Sequence, residues 1–284
     1  MEVELIEIRL LRSTDIAQAL RLSQQVGWNQ TEKDWHAFIS FRPTGCFAAI
    51  ADNKIVATGT TIDYQQKFSW IGMILVDKEY RRMGIGKMML QHCIASLDNC
   101  ETIKLDATPM GKIVYDKLGF VDEYNLKRFI RKEDDISQNA RGVERITANN
   151  LKVLRDYDRE IFAADRFAIL SKWWSNHQEN SFIYLANNRL YGYVLCRQGM
   201  DSLHIGPLLA DNDEIAEKLL CAVLKGKGRQ QIIIDSMVEN HIWLAILQKY
   251  GFEELRPFIR MAKGPNNYPG NLCYQYAISG PELG

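Results

Sequence analysis

The chain has 284 residues, 46% of them apolar and 25% charged, the proportions of a globular protein with room for one large domain or two of ordinary size. Thirty-five Lys and Arg stand against thirty-five Asp and Glu, which argues against a generally basic nucleic-acid binder and against an acidic tail. The six cysteines (Cys46, Cys93, Cys100, Cys196, Cys221, Cys273) form no Cys-x-x-Cys pair and no His cluster accompanies them, so no zinc or other metal site is expected and the thiols read as reduced and mostly buried.

The opening stretch MEVELIEIRLLRSTD carries acidic residues where a secretory leader is basic, and no run approaches the ~20 apolar residues of a membrane helix. Both points favour a cytoplasmic protein without a membrane partner. LIEIRLL (5–11) predicts a strand and STDIAQALRLSQQ (13–25) an amphipathic helix, with Ser13, Thr14 or Asp15 as N-cap. EKDWHAFISF (32–41) predicts a second short helix, and residues 45–64 two strands around an Asp52-Asn53 turn. FSWIGMILV (68–76) reads as a strand, IGKMMLQHCIASLDN (85–99) as a helix, TIKLDA (102–107) as a strand, PMGKIVYDKLG (109–119) as a helix and FVDEYNLKRFIRK (120–132) as a strand pair.

EDDISQNARGVE (133–144) is polar and aperiodic, the best linker in the chain. The residues beyond it repeat the first half. FIYLANNRLYGYVL matches CFAAIADNKIVATGT, HIGPLLAD (204–211) matches WIGMILVD (70–77), and LQKYGFEELRPFIR (247–260) matches YDKLGFVDEYNLKRFIR (115–131). The order β-α-α-β-β-β-α-β-α-β-β therefore runs twice, predicting two similar domains, 1–136 and 140–284.

Between strand 68–76 and helix 85–99 lies VDKEYRRMGIGKMMLQ (76–91), two glycines and three cations in seven positions. It is not a Walker loop, since no glycine stands five residues before Gly86, and not a Gly-x-Gly-x-x-Gly fingerprint, since Met88 and Met89 follow Lys87. What remains is Arg81-x-x-Gly84-x-Gly86 at a strand-to-helix junction. Helix N-termini present unpaired amides and a partial positive charge, so the main chain of 82–87 can wrap a diphosphate, with the glycines permitting close approach.

This loop, with the element order before it and VYDKLGF after it, resembles the GCN5-related N-acetyltransferase (GNAT) superfamily over nearly all of residues 5–132. The resemblance implies an α/β fold: two tandem GNAT-like domains, each a twisted, mostly antiparallel sheet with a splayed parallel strand pair and flanking helices. It implies acetyl-CoA as acyl donor, bound by Arg81, Arg82, Met83, Gly84, Ile85, Gly86 and Lys87 and by the backbone of Ile74, Leu75 and Val76, with Thr108 near the donor too. Tyr115, four residues before Gly119-Phe120, stands where the family's tyrosine protonates the leaving thiolate; a phenol with a pKa near ~10 holds its proton at neutral pH. The glutamate that many relatives carry on the strand before the loop is missing, which leaves Asp63, Asp106 or a water chain as general base. The acceptor, an amine of a small molecule or peptide, would face Trp28, Asn29 and Trp35 of the first helix link, with Asp165 and Arg166 from the second copy.

The second copy carries Asp211, Asp213 and Glu214 where the diphosphate would sit, and Leu247 or a neighbour in place of Tyr115. It therefore reads as a degenerate copy that has lost the donor site. The expected activity is acetyl transfer to a primary amine by direct attack, in a monomer or homodimer; the alternative is a non-catalytic acyl-CoA-binding sensor.

Overall fold

A computed structural model describes residues 6–97, 99–132 and 140–284. The first half runs β1 (Glu7–Leu10), α1 (Ile16–Gln25), α2 (Glu32–Phe41), β2 (Cys46–Ala51), β3 (Lys54–Tyr64), β4 (Phe68–Val76), α3 (Ile85–Ala95), β5 (Ile103–Ala107), α4 (Pro109–Asp116) and β6 (Val121–Arg131). The second runs β7 (Val143–Arg145), α5 (Leu151–Phe162), α6 (Phe167–Asn176), β8 (Phe182–Ala186), β9 (Arg189–Gln198), β10 (Leu203–Ala210), α7 (Asp213–Leu224), β11 (Ile232–Met237), α8 (His241–Lys249), β12 (Glu253–Lys263) and β13 (Gln275–Ala277). The repeat read from the sequence is thus present in order in both halves, apart from the expected last strand pair. Most of the expected linker lies outside the described residues, and its last part enters β7.

Stretch 120–132 differs from the expected pair: it is one continuous strand, β6, eleven residues long. Its length has a reason. β6 pairs on one edge with β11 and on the other with β12, and it is not hydrogen-bonded to β5 of its own half. β5 pairs instead with β12 from the second half. The two copies have exchanged their last strands, and the exchange joins both halves into one mixed sheet in the order β1-β2-β3-β4-β5-β12-β6-β11-β10-β9-β8-β7, with β13 attached to β10.

Buried ion pairs pin the exchange at equivalent places in the two copies. In register on β5 and β12, Asp106 accepts from Arg260 Nε and Nη2 at 2.8 and 2.9 Å. In register on β11 and β6, Asp235 accepts from Arg128 Nε and Nη2 at 2.7 Å each. Two-pronged contacts of this kind fix strand register as well as supplying energy. Removing one partner would strand the other charge in a region where all four side chains are at most 7% exposed.

The helices follow from local signals. Thr31 caps α2 by accepting from the Asp34 amide at 3.3 Å, while the Asp34 carboxylate accepts from Thr31 N at 2.7 Å. One apolar core draws on both halves: Trp35, Phe38, Tyr64, Phe68 and Trp70 pack with Leu154, Phe162, Leu170, Trp173 and Tyr193. The sheet layers against α3 and α7 form separate clusters, one per copy. Among the described residues no helix is long and apolar enough to cross a membrane.

Candidate active site

β4 and β5 run parallel and pair only at Ser69 with Ile103 and Trp70 with Lys104. Beyond those pairs they part, and a cleft of about 610 Å³ opens between them. A bulge in β4 lies at the opening, where the pairing with β3 shifts register and Met73 takes φ of 52°. Thr58 Oγ1 holds the bulge by donating to Met73 O at 2.9 Å. Bulges re-aim backbone groups out of the ladder, and here Met73, Ile74, Leu75 and Val76 line the cleft.

The chain leaves β4 through a tethered turn. Asp77 accepts from Arg21 Nη1 at 2.7 Å and Gln25 Nε2 at 3.2 Å on α1, and from Glu79 N at 3.1 Å in the turn itself. Arg82 at φ 66° and Gly84 at φ 80° then swing the main chain into α3. The Gly84 position is left-handed, which only glycine adopts without strain. Gly84 is also the N-cap of α3, and no side chain caps the helix. The free amides of its first turn stand at the mouth of the cleft, whose wall includes Arg81, Arg82, Gly84, Ile85, Gly86 and Lys87. Met83 does not line it; its side chain is 52% exposed.

Thr108 and Tyr115 lie on the opposite wall. Thr108 Oγ1 caps α4 by accepting from Gly111 N at 3.2 Å. One turn on, the Tyr115 ring lies over Gly111, where a Cβ would come within 3.2 Å of the phenol oxygen. Burial, with a smaller contribution from Cys93, pushes the Tyr115 phenol up to about 12, so it keeps its proton across the neutral range.

The acceptor-side expectations fare unevenly. Trp28 lines the cleft, beside Gln30. Trp35 is fully buried in the shared core, with Nε1 donating to Ser23 Oγ at 3.5 Å. Asn29 ties the halves together instead: its Oδ1 accepts from Asp201 N and Ser202 N at 3.0 Å each, and its Nδ2 donates to Ser202 O at 2.9 Å. Asp165 pairs with Arg155 and accepts from Phe167 N at 2.9 Å. Arg166 is buried against Asp158 and donates to Gly284 O at 2.9 Å. None of these four side chains reaches the cleft.

Neither candidate base is a free carboxylate in the cleft. Asp63 is exposed near the end of β3, away from the cleft, and accepts from Gln66 N in the following turn at 2.6 Å. Asp106 does border the cleft, but Arg260 occupies both of its oxygens. Burial, with Asp235 and Glu123 nearby, pushes its carboxyl up against the pull of Arg260.

Part of the wall comes from residues that the sequence motifs do not single out: Arg128 on the exchanged β6, Arg256 and Phe258 on the exchanged β12, and Pro281 and Glu282 near the end of the chain. The last two arrive along an unusual route. β10 and β11 of the second copy splay after Ile205 and Ile234, as β4 and β5 do, but β13 fills the gap by pairing with β10 at Leu208 and Leu209. Ile278 N then donates to Asp235 O at 3.0 Å. The segment continues into the first copy, where Trp70 Nε1 donates to Pro281 O at 3.0 Å and Tyr64 OH to Leu283 O at 2.5 Å. Glu282 pairs there with Arg197.

The second copy's equivalent helix start also differs. Asn212 caps α7, its Oδ1 accepting from Ile215 N at 3.0 Å, and Asp213 and Glu214 occupy the first turn. Among the described residues no cluster of three or more His, Cys, Asp or Glu could hold a metal ion.

Comparison with known proteins agrees with this architecture. Residues 14–120 match the model of the acetyltransferase (GNAT) family, and residues 154–277 match a second acetyltransferase (GNAT) domain model. The chain is 26% identical over 258 residues to the holothin acyltransferase of Pseudoalteromonas sp. (strain SANK 73390), covering 90% of this chain and 87% of that one. It is also 26% identical over 237 residues to the uncharacterized N-acetyltransferase YitH of Bacillus subtilis (strain 168), covering 81% and 82%. In fold it is similar to a putative acetyltransferase from Pyrococcus horikoshii (TM-score 0.82, 24% identity, 98% and 96% of the two chains). It is also similar to a tandem GNAT protein from the clavulanic acid biosynthesis pathway (TM-score 0.60, 12% identity, 93% and 100%). With two GNAT domains in one continuous sheet, the chain belongs to the acetyltransferase (GNAT) superfamily.

Proposed function

We propose that the first copy transfers an acetyl group from acetyl-CoA to a primary amine by direct attack, and that the second copy binds no donor. The observation that carries this reading is the junction of two features: a splayed β4–β5 cleft, and an uncapped α3 whose first-turn amides face its mouth. Such amides favour a diphosphate, and hydrogen bonds to a charged group contribute about 1.5–3 kcal/mol each. Arg81, Arg82 and Lys87 are exposed around the loop and add steering charge.

The cleft residues then divide the chemistry. Backbone amides of the bulged β4 segment would receive the negative charge that develops on the thioester oxygen as the amine attacks. Tyr115 would give its proton to the departing sulfur, a role suited to a phenol that stays protonated at neutral pH. The amine must arrive neutral or lose its proton to water, because the cleft carboxylates Asp106 and Glu282 are held by arginines. That same observation favours a second reading, an acyl-CoA sensor without turnover.

The deciding experiment measures thiol release from acetyl-CoA across a panel of primary amines, alongside calorimetric titration with coenzyme A. Binding with amine-dependent thiol release supports the transferase. Binding without release on any amine supports the sensor, and absence of binding overturns both.

A further inference from the structure

The guanidiniums of the exchanged strands and of Arg197, at the cleft or behind its wall, are not equally provided for. Arg128 is held by Asp235 and Arg260 by Asp106. Arg197, behind the wall, is shared by Asp34 and Glu282. Arg256 forms no ion pair with any carboxylate of the described residues, and its Nε is buried without a hydrogen-bond partner. It sits just past a bulge in β12, opposite Arg128 in register. Like charges directly opposite one another across a sheet are destabilising, and the partly buried guanidinium has no carboxylate to offset its desolvation. Burial, followed by the repulsion of Arg128, brings its pKa down to about 10, although Asp235 and Glu282 act in the other direction.

Phe258 keeps both guanidiniums at the wall, its ring lying 5.4 Å from Arg128 and 5.2 Å from Arg256. An acceptor oxygen stands on the same cleft: Gln30 is 6% exposed and its Oε1 has no donor. Apart from the exposed Arg81 and Arg82 of the loop before α3, the wall therefore offers an unmatched forked cation and an unmatched acceptor, the complement of an anion and an N–H group on one small molecule.

We propose that Arg256 binds a carboxylate of the acceptor, so that the amine acylated belongs to an amino acid or a similar amino-carboxylate. The proposal rests on the transfer reading above and narrows its substrate class. A monoanion suits the site better than a phosphate dianion, because Asp235 and Glu282 are close enough to act on Arg256 and would repel the second charge. The planar fork of arginine meets a carboxylate through two parallel hydrogen bonds. Gln30 Oε1 would receive an N–H of the acceptor. A strand exchange that brings an arginine of the second copy to the first copy's cleft thereby makes specificity a property of both halves.

The test uses the full chain with matched acceptors: each L-amino acid and β-alanine, against the corresponding carboxamide. Transfer is read as kcat/KM from thiol release, and binding as heat protection of the coenzyme A-loaded protein. Free acids should exceed their amides by tenfold or more, and Arg256→Gln should lower the acids about 10- to 100-fold, mainly in KM, the loss expected for hydrogen bonds to a charged group. Coenzyme A affinity should not move. Unliganded Arg256→Met should melt at or above the wild-type temperature, since a partly buried, unmatched charge facing Arg128 is lost; a structural arginine would lower it. Equal use and equal protection of acids and amides, or an acid preference that survives in Arg256→Gln, overturns the proposal. Acid-specific protection without transfer to any amine would strike the transferase reading and leave the carboxylate site standing.

Discussion

Gly86→Asp separates donor binding from stability and moves them in opposite directions. Gly86 is the second residue of α3, and a Cβ there meets only a Val76 methyl at 3.4 Å, an ordinary contact. Aspartate has a slightly better helix propensity than glycine, by a few tenths of a kcal/mol, and a carboxylate at a helix N-terminus adds ~0.3–1 kcal/mol. The sum, about 0.5–1 kcal/mol, should raise the melting temperature by about 1–3 °C in a chain of this size. A diphosphate cradled by the same turn would instead meet a new negative charge at roughly 5 Å. At an effective dielectric of about 40 that repulsion is about 3 kcal/mol for two phosphate charges, or more than a hundredfold in Kd. Calorimetric titration with coenzyme A and a thermal scan of the unliganded protein give both numbers. Pantetheine, which lacks the diphosphate, should bind wild type and variant alike. A variant with raised stability and unchanged coenzyme A affinity would remove the α3 amides from donor binding.

Tyr115→Phe should lower kcat by roughly 10²–10⁴ with little change in coenzyme A affinity; because the phenol titrates at about 12, wild-type kcat should show no alkaline loss from this residue below about pH 11. An unchanged kcat excludes it as the acid. Asp63→Asn, at the exposed end of β3, should leave kcat and KM within a factor of about two, and a hundredfold loss would restore it as a candidate base. Asp235 is held well below the ordinary carboxylate range: burial opposes this, but Arg128 and then His204 prevail. A depressed folded pKa contributes stability that is complete above the unfolded value near ~4 and lost as pH falls through the folded one. Asp235→Asn should therefore cost about 3–5 kcal/mol in urea unfolding at pH 7, with the gap to wild type narrowing below about pH 4; a gap independent of pH would refute the pairing.

The elements that the sequence announced are those set by local chemistry. The glycine-bearing turn into α3, the amphipathic α1 and α2 and the Asn turns at 52–53 and 187–188 are short-range signals, and each appears in the structure. Partner choice within the sheet is not a short-range signal. The pattern of β6 says that it is a strand with a buried end, and it would say the same whether β5 or β11 lay beside it. Arg128, Arg256 and Phe258 were invisible as cleft residues for that reason. The clue available was the repetition of an aspartate late in the fifth strand of each copy, Asp106 and Asp235, together with arginines in both last strands. Trp35, Asp165 and Arg166 carry residue types suited to binding, yet burial or a nearby partner had already engaged them.

The asymmetry between the copies has three physical components, and they reinforce one another. A side-chain cap on α7 satisfies an amide that the uncapped α3 leaves open, and Asp213 and Glu214 reverse the charge at that end. β13 occupies the strand gap of the second copy with the chain's own backbone, so an incoming extended ligand would have to displace hydrogen bonds already made at Leu208, Leu209 and Asp235. The third component gives the plug a consequence for the first copy. Only a chain that leaves the second gap at Ile278 can deliver Pro281 and Glu282 to the first cleft, where Gly72 lets the Glu282 backbone approach so closely that a Cβ would lie 2.7 Å from its carbonyl oxygen. Closing one gap and walling the other are thus done by a single segment. A GNAT copy with an open second gap would lack the 275–284 wall, and its first cleft would be correspondingly less enclosed where Pro281 and Glu282 line it.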